Sequence, residues 1–257
     1  MNIMSNLILS PLSQFEVLSL IGFNAPIFNY LNLSLTNLGL YTILVLFTIV
    51  GLHTYGDNEV KLIPNNWSIA FESSFQSLST MVKDQIGSLN EVYIPFIYSI
   101  FFFVLIGNLV SNVPYSFAIN ASAVVALGLS VTIFMGVTIL SLSKHKLKFF
   151  SFFIPSGTPL ALVPLIVLIE VVSYFARAVS LGVRLFANLT AGHTLLKILS
   201  TFLYKLFSSS LIIAVLTLIP FAIFIGLIGL EIGVSLIQSF VLTLLTCSYL
   251  KDAIDLH

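Results

Sequence analysis

The chain has 257 residues, of which 58% are hydrophobic and 8% are charged, and its formal net charge is zero. Soluble domains contain about 45–50% apolar and about 25% charged residues, so this composition predicts a protein that crosses the membrane several times. A neutral chain gives no reason to expect nucleic acid as a partner. The single cysteine, Cys247, excludes an internal disulfide, and because no metal-ligand spacing occurs we expect neither a metal nor a cofactor.

The first half of the chain predicts three membrane spans and one surface helix. Residues 37–55, 94–113 and 117–143 are apolar over lengths that suit a spanning helix. Residues 66–87 place aromatic and aliphatic side chains at helical spacing, with Ser, Glu, Gln and Lys on the opposite face. This pattern favours an amphipathic helix on the membrane surface, and a helix packed against another protein is the alternative.

Charge predicts the orientation of the chain in the membrane. Lys144, Lys146 and Lys148 form its densest basic cluster, and such loops face the matrix or cytoplasm. Counting crossings from this loop puts the N-terminus outside and the C-terminus inside. Residues 1–10 lack the pattern of a secretory signal or a transit peptide, and whether they form a short leader stays open.

The second half consists of two unusually long apolar runs, residues 160–206 and 211–256. As a continuous helix each would extend roughly 70 Å, against a hydrocarbon core of about 30 Å. Ser208–Ser210 is the only polar break between them. We therefore predict an all-α polytopic membrane protein forming a single membrane domain over residues 1–257, with a strongly tilted antiparallel helical hairpin. Such a tilt implies a large partner surface.

Ionisable side chains lie inside the hairpin, where they are costly and suggest function. Glu170, Arg177 and Arg184 recur every two turns and so share one helix face. For Arg177 we favour an ion pair with Glu170, a structural role. For Arg184 a structural ion pair and a functional role are both open at this point.

An antiparallel register that turns at residue 211 aligns polar residues of the two runs at three depths. The aligned residues are Glu170 with Asp252, Arg184 with Gln238, and, within about a turn, His193 with Glu231. Asn188 is a further hydrogen-bonding neighbour of Arg184. Arginine stays charged at all physiological pH values. The layout therefore predicts two titratable zones separated by a fixed cation, that is, two half-channels with a barrier between them.

Several motifs together resemble subunit a of the F-type ATP synthase. The segments are "SLGVRLFANLTAGH", "IEVVSYFAR", "GLEIGVSLIQSFVLTLLTCSYLKDA", "SPLSQFE", "KDQIG", "NLVSNVPYSF" and "FFSFFIPSGTPLALVPL". The resemblance covers nearly the whole chain and is greatest for the fungal mitochondrial form. It implies a multi-pass protein of the mitochondrial inner membrane, with its N-terminus in the intermembrane space and its C-terminus in the matrix.

The resemblance also implies a mechanism and partners. The chain would be the proton-conducting stator subunit, facing a rotating ring of c subunits that each carry one essential carboxylate. Further partners would be the peripheral stalk, other membrane subunits and the lipid bilayer. The complex would be the enzyme, because this chain has no nucleotide site of its own.

Site residues follow from the matching motifs. Arg184 corresponds to the essential arginine that attracts the ring carboxylate and blocks direct proton leakage. The positions that match the outer half-channel are His193, Glu231, Asn188, Gln238, Asn108 and Asn112. Glu170 matches the acid of the inner half-channel, where the register adds Asp252 and the helix face adds Arg177 as a supporting residue. Many bacterial relatives exchange the acid and the histidine between positions 193 and 231.

Two other classes of protein were weighed against this one. A self-contained secondary transporter would carry inverted repeats with paired broken helices, and no internal repeat is visible. A purely structural membrane subunit would need no proton path. In that case an Arg184 substitution would harm assembly and coupling together.

Overall fold

A computed structural model describes residues 10–24, 32–56, 64–114, 116–153, 162–208 and 211–254. Some predicted features lie outside these residues: most of the possible leader, part of the serine turn, and the outermost residues of the two long runs.

Seven α-helices follow a short hairpin in the described part of the chain. They are α1 (Asn37–Gly56), α2 (Asn66–Ile86), α3 (Ile94–Ser111), α4 (Ala123–His145), α5 (Val163–Phe207), α6 (Leu211–Leu216) and α7 (Leu218–Ile254). Four 3-10 helices accompany them, at Pro11–Phe15, Ser88–Tyr93, Ile119–Ala121 and Lys146–Phe153. Among the described residues, five helical segments are long and apolar enough to cross a membrane, and they contain α1, α3, α4, α5 and α7.

The hairpin was not predicted. Strands β1 (Ser19–Asn24) and β2 (Asn32–Thr36) pair antiparallel directly before α1. β2 alternates over only five residues and β1 alternates only in part, so hydropathy alone gives a weak strand signal here. The spanning segments are helical, as the predicted all-α class requires, and the two-stranded sheet is a feature that this class did not include.

The span predicted at residues 117–143 begins later than expected. Residues 116–118 are not helical, the 3-10 turn Ile119–Ala121 follows, and Ser122 is an extended cap before Ala123. The Ser116 hydroxyl lies within hydrogen-bond distance of three carbonyl oxygens, those of Val110, Ser111 and Val113, and its single proton can be donated to any of them, which closes the turn behind α3. The hydropathy of this segment predicts its apolar character, but it contains no signal for the local turn.

The last run is also interrupted, between α6 and α7 at Thr217. The cause lies in Pro220, which has no N–H to donate to the carbonyl of Leu216 and whose ring clashes with it. From Leu218 the helix continues to Ile254. At its end, Lys144 and His145 of α4 contact the carbonyl oxygen of Ile254, at 3.3 and 3.1 Å. The basic cluster thus fixes the C-terminal end of α7.

The core lies where α2, α3, α4, α5 and α7 converge. Its fully buried side chains include Val82, Ile97, Ala126, Leu185 and Cys247. Helices α4 and α5 approach closely at Gly182. A Cβ atom there would lie 2.5 Å from the Ser130 hydroxyl and 2.9 Å from the Ala126 carbonyl oxygen, so this crossing requires glycine.

Helix α2 is amphipathic, and its C-terminal half packs inside the chain. Leu78, Val82 and Ile86 are buried, whereas Trp67 and Phe75 are about half exposed. The C-cap of the helix is Gly87, whose φ of +92° and ψ of 156° are readily adopted only by glycine.

Candidate functional site

A histidine and a glutamate meet between α5 and α7. The Nδ1 atom of His193 lies 3.4 Å from Oε1 of Glu231, and both side chains are largely buried, at 15% and 10% exposure. The separation suits an ion pair, although Oε1 has no hydrogen bond of good geometry among the described residues. On its other side, Nε2 of His193 lies 3.3 Å from the Ser111 hydroxyl of α3.

Glycine makes room for this carboxylate. A Cβ atom on Gly192 would lie 2.8 Å from Oε1 of Glu231. The side chain of Glu231 therefore lies directly against the backbone of α5, one residue before His193. A larger residue at 192 would push the carboxylate away from its histidine.

Amides and hydroxyls extend the pair across three helices. Asn112 donates to the Ser235 hydroxyl at 3.2 Å, and Asn188 donates to Gln238 at 3.0 Å. Ser111 donates to the carbonyl of Asn108 at 2.6 Å. A small cavity among them is lined by Asn108, Asn188, Leu189, Glu231, Val234, Ser235 and Gln238. We call these polar residues the outer cluster: Asn108, Ser111, Asn112, Asn188, His193, Glu231, Ser235 and Gln238.

Asn120 belongs to the same buried network. From the 3-10 turn before α4, its amide donates to Oδ1 of Asn108 at 2.7 Å. Both side chains are essentially fully buried, at 1% and 0% exposure. A Cβ atom on Gly107 would lie 3.1 Å from the Asn120 amide, so Gly107 leaves the space that Asn120 occupies.

Four buried amide atoms of this network have no hydrogen-bond partner among the described residues. They are Nδ2 of Asn108, Oδ1 of Asn112, Oδ1 of Asn120 and Nε2 of Gln238. Buried polar groups in proteins are nearly always hydrogen-bonded, to protein or to ordered water. Their clustering around Glu231 marks the region as one suited to water.

A larger cavity of about 770 Å³ opens beside His193 and Glu231. It is bounded by α1, α3, α5 and α7 and by the N-terminal 3-10 helix. Its polar lining consists of Gln14, Asn37, Tyr41, Ser111, Asn112, Ser116, His193, Lys197, Ser200 and Glu231. We call this cavity the vestibule.

A second polar group surrounds Arg177. Its guanidinium lies 3.4 Å from Oδ2 of Asp252 and 3.5 Å from Oε1 of Glu170. One arginine thus bridges the two carboxylates, which were predicted to be level with each other. Tyr174 stands one turn before Arg177, with its hydroxyl 2.9 Å from that of Thr138.

We call Glu170, Tyr174, Arg177 and Asp252 the inner cluster. A cavity adjoins this cluster. The cavity is lined by Phe134, Val137, Ser141, Phe149, Tyr174, Arg177, Tyr249, Asp252 and Ala253. The favoured interpretation of Arg177, an ion pair with Glu170, agrees with this geometry.

Arg184 lies on α5 between the two clusters. Leu181 and Leu185 on either side of it are buried, whereas Arg184 itself is exposed. Across the part of the chain that the structure describes, no side chain forms an ion pair or hydrogen bond with Arg184. Arg184 is therefore open to a counter-ion from outside the described residues.

The contacts between α5 and α7 do not follow one constant register. Gln238 accepts a hydrogen bond from Asn188, one turn beyond Arg184, and no hydrogen bond joins Arg184 to Gln238 among the described residues, so their alignment in depth stays a prediction. His193 does meet Glu231, and Asp252 meets Arg177 rather than touching Glu170 directly. The contacts advance by more residues along α7 than along α5. A constant register assumes that the two helix axes do not diverge and that all side chains are equally long. The long side chain of Arg177 violates the second assumption, because it reaches a residue at a different depth.

Sequence reasoning missed Ser111, Asn120 and Gln14. Ser111 stands between Asn108 and Asn112 on α3, and Asn120 is a lone amide in an apolar segment, so each carried a weak signal. Gln14 carried none. Within the described ranges no group of three His, Cys, Asp or Glu side chains is arranged to hold a metal ion.

These features define a class: a polytopic helical membrane protein with ionisable pairs inside its spanning helices. Such groups mark ion or proton pathways. The family profile described as "ATP synthase A chain" matches residues 38–251. The chain is 65% identical to ATP synthase subunit a of Mycosarcoma maydis over 99% of this chain and all of that protein. Identity to the subunit a of Emericella nidulans is 47%, over 98% of each chain. Identity to that of Saccharomyces cerevisiae is 44%, over all of this chain and 99% of the other.

The chain therefore belongs to the ATP synthase subunit a family, and the family predicted from its motifs is confirmed.

Proposed function

We propose that this protein is the proton-conducting stator subunit of a mitochondrial ATP synthase. Two offset half-channels carry protons to and from the carboxylates of a rotating c-ring, and proton flow thereby drives rotation. Moving one charge across 100 mV supplies about 2.3 kcal/mol, so several protons must be summed for each ATP. A ring of identical carriers provides that sum.

The outer cluster supports the outer half-channel. The vestibule leads to His193 and Glu231, and from them the amide nitrogens of Asn108 and Gln238, which have no hydrogen-bond partner among the described residues, continue inward. Titratable groups linked by hydrogen-bonding amides are the components that a proton path needs. In this assignment Asn112, Asn188 and Ser235 hold the water chain, and the His193–Glu231 pair exchanges protons with it.

The inner cluster supports the second half-channel. Glu170 and Asp252 are both at least 30% exposed and share Arg177. Both carboxylates lie within ion-pair distance of the same guanidinium, and in this assignment they receive the proton that leaves the ring. Because Glu170 and Arg177 lie on α5 and Asp252 on α7, the shared arginine links the two helices at this depth.

The observation that carries the proposal is Arg184, an exposed cation with no partner among the described residues and with polar clusters on both sides of it along α5. A charge facing lipid is costly, so a carboxylate of a neighbouring subunit is its natural counter-ion. Free protons cannot pass Arg184 directly, so they cross only while bound to carboxylates of the rotating ring.

The proposal also includes location and orientation. The relatives reported above are fungal ATP synthase subunits, which favours the mitochondrial inner membrane. The vestibule then opens to the intermembrane space, on the side of the N-terminus. The basic cluster at Lys144 and the end of α7 lie at the matrix side, as the positive-inside rule requires. At 45 and 37 residues, α5 and α7 would extend about 68 and 56 Å and would cross at a strong tilt.

Cross-linking tests whether Arg184 faces the ring. Ala187→Cys lies on the exposed face of α5, close to Arg184, in a Cys247→Ser background. We expect it to form a disulfide with a cysteine placed near the carboxylate of the c subunit, in the assembled complex.

Two controls make this test specific. Leu189→Cys is on the same helix but buried, at 4% exposure, and Leu46→Cys is exposed on α1. Neither should cross-link to the ring. If Leu46→Cys cross-links and Ala187→Cys does not, the proposed face of α5 is wrong.

A further inference from the structure

The N-terminal 3-10 helix, Pro11–Phe15, packs against α5 beside the outer cluster. Phe15 contacts the His193 ring edge to face, with centroids 6.4 Å apart. Phe15 also packs on a small core of Ala118, Ala121 and Leu189. The segment therefore touches the helix that carries the titratable histidine, although it lies far from it in sequence.

Hydrogen bonds at both ends hold the segment in place. The ammonium group of Lys197 lies 3.4 Å from the Ser13 hydroxyl and 3.5 Å from the Ser10 carbonyl oxygen. At the other end, Asn37 donates to the Glu16 carbonyl and accepts from the Leu18 amide, at 3.0 and 3.2 Å. The segment is thus tied to both α5 and α1, which are two walls of the vestibule.

Gln14 lines the vestibule from this segment. Its Nε2 atom is buried and has no hydrogen-bond partner among the described residues. The neighbouring Leu12 is 59% exposed and is not part of the lining, so the 3-10 helix presents one polar and one apolar side. An amide donor directed into a polar cavity is suited to bind water there.

The ionisable groups that line the vestibule with Gln14 come from three helices, and α3 contributes only the neutral Ser111 and its C-cap Asn112. His193 and Lys197 lie on α5, Glu231 on α7 and Tyr41 on α1. Glu16 follows two residues later in the same segment. Protons moving from the vestibule to His193 must pass among these side chains, and Gln14 is the lining residue of the 3-10 helix itself.

We propose that the N-terminal 3-10 helix is a wall of the outer proton opening and that Gln14 is a positioning residue of that opening. Its amide orders the water that delivers protons to the His193–Glu231 pair. This inference rests on the proposed function, because it assumes that the vestibule is the outer half-channel.

The test is the dependence of ATP synthesis on outer pH in mitoplasts, at constant inner pH and membrane potential. Gln14→Met removes the amide at similar volume. We expect it to need about three- to tenfold more outer protons for the half-maximal rate, with an unchanged maximal rate, because one hydrogen bond is lost. Gln14→Asn keeps an amide donor and should return the half-maximal point toward the parent value.

Leu12→Met on the exposed side of the same helix is the matched control and should leave the profile unchanged. An unchanged profile for Gln14→Met would overturn the inference, as would a lower maximal rate with an unaltered half-maximal point, which indicates a purely structural role. The proposed function is tested separately by Arg184→Ala. If that variant still makes ATP from a proton gradient, the proposed function fails, whatever Gln14 does.

Discussion

Replacing Arg184 with alanine should abolish proton-driven ATP synthesis while leaving the complex assembled. The exposed guanidinium has no side-chain partner in the described part of this subunit, so its removal breaks no ion pair within the described residues. What it removes is the stabilisation of the ionised ring carboxylate. At an effective dielectric constant near 20, charges about 4 Å apart interact by about 4 kcal/mol. A loss of that size reduces the ionised population by about a thousandfold.

Assembly and coupling must be measured on the same membranes. Native gel electrophoresis should give normal amounts of the complex, and ATP synthesis should fall to background. Without the cation, protons also pass between the half-channels, so passive proton leakage should rise. Val183→Ala, which shortens the exposed neighbour of Arg184, is the control and should remain coupled. Loss of assembly in step with synthesis would favour a structural subunit instead.

Replacing Glu231 with leucine should reduce proton-driven synthesis by about 10²–10⁴-fold, the usual contribution of a positioned proton-transfer group. The carboxylate is largely buried, lies against Gly192 and faces His193 at 3.4 Å. Leucine leaves the histidine without its partner in the buried part of the path. The measurement is the rate of ATP synthesis at a fixed proton gradient, normalised to assembled complex.

An exchange of the two groups provides the control for this prediction. The double variant His193→Glu, Glu231→His keeps one acid and one imidazole between the same two helices. We expect it to recover a substantial part of the activity that either single exchange loses. His193→Glu alone places two carboxylates in contact in a buried site, which is unfavourable. A double variant no better than the single ones would show that the pair does not act as a unit.

Hydropathy and helical spacing predicted the spanning helices well because these signals are local. The contact of Arg177 with Glu170 could be predicted for the same reason, since both residues lie on one face of α5. The contact of His193 with Glu231 could be predicted from the antiparallel register, because both helices are continuous over that depth.

Other contacts depend on how elements pack, and the sequence does not contain that information in local form. Asn120 reaches Asn108 only because a 3-10 turn delays the start of α4. Gln14 reaches the vestibule only because the N-terminal segment folds back onto α5. The rotation of α5, which turns Arg184 outward and Asn188 toward Gln238, likewise follows from packing against α4 and α7.

The central claim is that two separate aqueous paths end on either side of Arg184. A matched pair of substitutions tests it in a Cys247→Ser background: Val113→Cys lines the vestibule and Val137→Cys lines the cavity of the inner cluster. Val131→Cys, exposed on α4 outside the lining of both, is the control. Passive proton conduction is measured while a small, membrane-impermeant thiol reagent is added from one side only.

We predict that reagent from the intermembrane-space side blocks conduction only in Val113→Cys, and reagent from the matrix side only in Val137→Cys. The control should be insensitive from both sides. Inhibition of both variants from the same side would contradict the account, because it would reveal one continuous pore past Arg184.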